Sequence, residues 1–226
     1  MEQPAEVRTV PTSAGRRRLF RGVSGGVLLA VQAKTALGGG SCKSPSAMIS
    51  GNTSPRPGDG TVCSGGRSPG FWIQPQHSPY WSIAGATYPT FKIQTTLCAT
   101  NLSTIQGSDM TSPGTLLTSV FPGANVPAGT SLWSALSPQA QYGQLLRHLT
   151  AAWLNAGYFT STGQKYPLTK QQVLDMWNAV KGGGLYCPAS LLNCGSKGWS
   201  ASQVISYIEQ MYDTNSDINV NLCKKT

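Results

Sequence analysis

The side chains able to move a proton or attack a bond are few: two histidines, eight carboxylates and six cysteines among 226 residues. A Ser-His-Asp arrangement needs a histidine beside both a serine and a carboxylate. The sequence has no Gly-x-Ser-x-Gly elbow to present such a serine. His77 lies in a proline-bounded aromatic loop and is the stronger functional candidate of the two histidines. His148 stands beside an apolar helical stripe, which reads as a helix surface or core edge. Asp175 and Glu209 fall on separate predicted helices. Facing one another they would supply the two carboxylates of a glycosidase, although two solvated helix faces explain them more simply. His77, Asp175 and Glu209 are therefore the catalytic candidates, no complete constellation results, and the balance is against an enzyme.

Binding chemistry has two further candidates. Trp72, Tyr80 and Trp81, with Tyr88 nearby, could form a stacking platform for sugars or a contact patch. The competing reading is a core plug, favoured for Trp72 and left open for Trp81. Asp213, Asn215 and Asp217 place oxygen atoms at alternate positions, as the start of a calcium loop does. Ile218 stands where that loop needs Gly and Lys224 where it needs Glu, so a helix fraying into a polar tail is preferred. No Cys-x-x-Cys is present and neither histidine lies at ligand spacing from a cysteine pair, which argues against zinc. No metal or other cofactor is expected.

These groups must be held by elements with recognisable ends. Ser68-Pro69 reads as an N-cap with proline at the first helical position, opening a short helix to Gln74 that stops before Pro75. Phe91 to Thr95 alternates apolar and polar as a half-buried strand would, or runs as extended loop pinned by Cys98; whether residues 82–136 contain strands is left open. Ser137-Pro138 opens a helix near 138–156 whose Leu145, Leu149, Ala152, Trp153 and Ala156 make one apolar stripe. Thr169 with Gln172 and Ser200 with Gln203 are capping boxes that start helices near 170–181 and 201–213. Three amphipathic helices argue for a small bundle. The expected fold is mainly α, with a disulfide-stapled, loop-rich N-terminal half packed on a small C-terminal helical bundle. The chain divides into a targeting segment at 1–38, a Gly/Pro/Ser-rich loop segment at 39–67 and one globular domain at 68–226.

Compartment follows from the N-terminus and the cysteines. Arg16-Arg17-Arg18-Leu19-Phe20 precedes a weakly apolar stretch ending in Ala36-Leu37-Gly38. This is a signal pattern with cleavage near Gly38, and the arginine pair resembles a twin-arginine signal. Six basic and two acidic residues lie in 1–38, so cleavage lowers the formal charge from +9 to +5. The remaining basic residues are scattered, which argues against nucleic-acid binding. Cys42, Cys63, Cys98, Cys187, Cys194 and Cys223 all follow the cleavage point. An even count in an exported chain reads as a disulfide framework. Fifteen pairings of six cysteines are open; Cys187 with Cys194, Cys42 with Cys63 and Cys98 with Cys223 form one plausible set. Lipidation at Cys42 is disfavoured because Gly39-Gly40-Ser41 lacks the apolar residue of a lipoprotein box. No apolar run approaches the ~20 residues of a spanning helix.

Ser68-Pro69-Gly70-Phe71-Trp72 resembles a motif of bacterial secreted proteins of undefined function, which read Ser/Thr-Pro-Gly-Phe/Tyr-Trp-Lys-Asn-His with a later Trp, here Trp81. Leu154-Asn155-Ala156 and Pro167-Leu168-Thr169 are similar to later segments of those proteins. The resemblance spans about residues 60–212. It departs at Ile73-Gln74-Pro75, where Lys-Asn-His is usual, and His77 falls two places late. The resemblance implies secretion and transfers no activity.

The composition adds 25 Ser, 21 Thr and 26 Gly with only 11% charged residues, against a usual quarter. The functional expectation is an exported protein of the extracellular space or cell surface, or of the periplasm, with a structural, adhesive or assembly role such as a filament or sheath subunit. Its expected partners are further copies of itself or other surface components. The alternative is a secreted hydrolase or glycan-binding module that uses the aromatic and histidine loop 71–81.

Overall fold

Serine followed by proline starts two helices by the same device. In the computed structural model, which describes residues 43–51, 65–92 and 107–213, Ser44 caps α1 (Pro45–Ser50) and Ser68 caps α2 (Pro69–Ile73). Each serine oxygen accepts a backbone N–H three residues on, from Ala47 at 3.4 Å and Phe71 at 3.2 Å. Proline follows because the first helical N–H has no internal partner to lose. The helix at 45–50 corrects the reading of 39–67 as loop. The high Gly and Pro content of that segment masked a capping signal identical to the one recognised at Ser68.

A 3₁₀ turn at Pro75–His77 leads into α3 (Ser78–Ile83). The strand expected from Phe91 onward is represented by β1 (Thr90–Phe91), paired antiparallel with β2 (Met110–Ser112). Residues 93–95 of that expectation lie outside the described residues. After α4 (Leu117–Val120), Ser131 caps a 3₁₀ helix at Leu132–Leu136, accepting the Trp133 N–H at 3.2 Å.

Three longer helices complete the fold: α5 (Gln144–Ser161), α6 (Lys170–Val180) and α7 (Ala201–Gln210). Both capping boxes form, at Thr169 with Gln172 and Ser200 with Gln203. The helix expected to open at Ser137-Pro138 begins six residues later. Ala140 has φ 47° and Gly143 has φ 87°. Right-handed helix does not tolerate positive φ, so the intervening residues form turns and α5 starts just after Gly143.

The mainly helical chain is organised around α5, which packs against α6, α7, α2, α3 and the 3₁₀ helix at 132–136. Leu149, Ala152, Leu154, Val173, Met176, Val204 and Ile208 are buried between these helices. Burying each of these Leu, Val, Met or Ile side chains stabilises the fold by roughly 1.5–3 kcal/mol. Gly157 lets α5 pass close to the residue that ends α3: a β-carbon there would overlap the Ala84 carbonyl oxygen.

Cys187 and Cys194 are disulfide-bonded with Cα atoms 5.7 Å apart. They close a hoop between α6 and α7, at the foot of an antiparallel bridge between Tyr186 and Trp199. Cys42, Cys63, Cys98 and Cys223 lie outside the described residues, as does the targeting segment at 1–38. Among the described residues no helix is long and apolar enough to cross a membrane.

Candidate functional site

A five-residue helix leaves its last carbonyls without helical partners. In α2 they are taken by aromatic side chains from four other places. The Phe71 carbonyl accepts His77 Nδ1 at 2.6 Å. The Trp72 carbonyl accepts Trp81 Nε1 at 3.0 Å. The Ile73 carbonyl accepts both the Tyr88 hydroxyl and Trp133 Nε1, each at 2.9 Å. Since a carbonyl only accepts, His77 carries its proton on Nδ1. Its ring also lies flat on Phe71, with centroids 3.6 Å apart and planes 13° from parallel.

The start of the same segment is held by Asn155, which is fully buried in α5. Its Oδ1 accepts the Arg67 N–H at 2.9 Å and Trp72 Nε1 at 3.1 Å. Its Nδ2 donates to the Arg67 carbonyl at 2.9 Å. One buried side chain thus satisfies a backbone donor, a backbone acceptor and an indole N–H. The Ser-Pro-Gly-Phe-Trp segment and Leu154-Asn155-Ala156 are therefore in direct contact.

These positions decide what loop 71–81 can do. Trp72 and Trp81 are 0% exposed and His77 is 1% exposed. Neither indole offers a face to solvent, so the stacking platform read from the sequence is not present. Their hydrogen bonds to Asn155 and to the α2 carbonyls explain why they turn inward. Tyr80 is half-buried, edge-on to Tyr158 at 5.4 Å. His77 acts on the Phe71 backbone and ring.

The structure assembles a different cluster. His148, in α5, is 4% exposed. Its Nε2 lies 3.3 Å from Glu209 Oε1 in the last turn of α7, and its Nδ1 lies 2.8 Å from the Tyr212 hydroxyl just beyond it. An ionised carboxylate only accepts, so Nε2 bears the proton and Nδ1 is left to accept from the tyrosine. Burial pulls the His148 pKa below the ordinary imidazole value, opposed by the Glu209 charge and assisted by Arg147. Burial thus favours the neutral imidazole. Carboxylate, imidazole and hydroxyl stand in line, the order found where a hydroxyl is made nucleophilic.

Tyr212 is fixed by its backbone. Gly66 pairs with it in a parallel bridge: the Gly66 N–H donates to the Met211 carbonyl at 2.7 Å, and the Asp213 N–H donates to the Gly66 carbonyl at 2.9 Å. His148 and Asn155 are seven residues apart, about two turns on one face of α5. That face receives both the 65–67 segment and the end of α7.

Glu209 thus faces His148 and does not meet Asp175. Asp175 instead accepts Gln171 Nε2 one turn earlier, at 2.8 Å, and its charge adds to the burial that pushes the Tyr186 pKa up to about 12. The paired-carboxylate reading is corrected on this ground: the two acids lie on α6 and α7 with separate partners. Of the calcium-loop candidates, Asp213 is held by the Gly66 bridge, while Asn215 and Asp217 lie outside the described residues. No three His, Cys, Asp or Glu side chains gather as a metal set among the described residues. Sequence reasoning missed Tyr212 and Asn155, treated His148 as a helix-surface or core-edge residue, and paired Glu209 with Asp175. Only the helical phase of His148, on the α5 face that carries Asn155, hints at the arrangement. Neither the protein-family models nor the curated proteins nor the solved structures give a match to this chain.

Proposed function

We propose that this is an exported, disulfide-stabilised protein of the extracellular space or cell surface with a structural, adhesive or assembly role. The observation that carries the reading is the inward orientation of the aromatic motif. Trp72, Trp81, Trp133 and His77 are buried and hydrogen-bonded to backbone or to Asn155, so the most chemically distinctive segment holds the fold together. Among the described residues the large apolar side chains left outside are Met48, Ile83, Leu185 and Leu192, the last fully exposed on the covalently closed hoop. Local disulfides suit an oxidising compartment.

Two measurements test the proposal. Intact mass of the protein from its native host, alkylated with and without prior reduction, should match a chain beginning near residue 39 with no free thiols until reduction. Light scattering across a wide concentration range should show association. A full-length mass with six alkylated cysteines overturns export. A monomer at every concentration, alone and with surface material from the host, overturns assembly and adhesion.

A further inference from the structure

We propose that Tyr212 is an acylation site: its hydroxyl, deprotonated by His148 with Glu209 behind the imidazole, attacks the carbonyl carbon of an activated carboxylic ester and retains the acyl group. The inference is independent of the structural role proposed above, because it rests on side chains outside the aromatic motif.

The geometry supplies each part. A nucleophile must lie within hydrogen-bond reach of its base, and the base within reach of a group that orients it. Tyr212 Oη to His148 Nδ1 is 2.8 Å and His148 Nε2 to Glu209 Oε1 is 3.3 Å. The imidazole is shielded from water, which favours its neutral form, and its Nδ1 faces the tyrosine hydroxyl. Tyr212 is half-buried and the Glu209 side chain is 53% exposed, so the cluster reaches solvent at its carboxylate end. The Gly66 bridge fixes the tyrosine backbone on both sides of the residue, which holds the hydroxyl at its base without an entropic cost at the moment of reaction.

The step balances without any oxidant or reductant. The Oη–C bond forms as the hydroxyl proton moves to His148 Nδ1, giving an imidazolium held by the Glu209 carboxylate. The tetrahedral adduct then collapses and breaks the bond from carbon to the leaving oxygen. That oxygen takes the proton from Nδ1 and departs as an alcohol or phenol. The products are O-acyl Tyr212 and the free alcohol, with His148 neutral again.

The experiment uses the full chain and p-nitrophenyl acetate, with acetylated peptides quantified by mass spectrometry over time. Tyr212 should be acetylated about 10²-fold faster than the half-buried Tyr142, the lower end of what a positioned base contributes. Tyr212→Phe should remove that adduct. Glu209→Gln, at an exposed position, should slow it while the thermal midpoint stays within a few degrees. The rate should level off at the titration of an imidazole, below the ordinary value of about 6.5, where an unassisted phenol would keep accelerating to about pH 10. The groups acting on that imidazole are Glu209, Tyr212 and Arg147. Equal labelling of Tyr142 and Tyr212, or a rate that follows phenol ionisation and ignores Glu209→Gln, overturns the proposal.

Discussion

Asn155 shows how much one buried polar side chain can hold. Three groups depend on it: the Arg67 N–H, the Arg67 carbonyl and Trp72 Nε1. A buried donor or acceptor left without a partner costs about 1–3 kcal/mol. Asn155→Ala strands all three and should destabilise the protein by about 3 kcal/mol or more, read as a lower urea midpoint. Asn155→Asp keeps the acceptor oxygen and should lose the contact to the Arg67 carbonyl while placing a charge in the core. A loss below about 1 kcal/mol for the alanine variant would mean that water replaces the amide, and that the 65–67 segment is held by its bridge to Tyr212 alone. Little of this was legible beforehand. Asn155 sits within an apolar helical stripe where its polarity is a local anomaly, and its partners are far away along the chain. His148 and Glu209 posed the same difficulty. Each was recognisable as a titratable group, but their pairing exists only once α5 and α7 pack.

At the level of elements, the legible helices were those with local signals. The capping boxes at Thr169 and Ser200 and the Ser68-Pro69 start each rest on a few adjacent residues, and each formed. The start of α5 was misplaced because Ser137-Pro138 carries the same signal, while the positive φ values at Ala140 and Gly143 depend on how the turn docks. The order of α2 is tertiary: five residues cannot sustain a helix alone, and its end is completed by Trp81, Tyr88 and Trp133. The disulfide hoop between α6 and α7 is the opposite case, a local closure of residues seven apart. Chain-entropy arithmetic gives such a loop about 2.5 kcal/mol. Replacing both Cys187 and Cys194 with Ser should lower stability by about that much and leave the far-ultraviolet helical signal unchanged. A collapse of the helical signal would mean that the hoop positions α7.

On the scale of the whole molecule, several phenols are buried among the described residues. Burial raises the pKa values of Tyr88, Tyr166, Tyr186 and Tyr207, Tyr186 to about 12. Below the unfolded value of about 10 these groups are neutral in both states and cost nothing. Above it the unfolded chain loses protons that the fold retains, so stability falls as pH rises. Alkaline titration should therefore show the phenolate absorbance of these four appearing in the same transition that abolishes the helical signal. Smooth ionisation of all eight tyrosines with the helices intact would contradict their burial.

The bridge between Gly66 and Tyr212 has a mechanical consequence. Tyr207, one turn earlier, donates its hydroxyl to the Lys43 carbonyl at 2.9 Å. The segments at Lys43 and Gly66, both earlier in the chain than the helices packed on α5, are therefore anchored on the one stretch from Tyr207 to Asp213. Detaching that stretch frees the two segments together, so they gain or lose their fixed places as a unit with the end of α7.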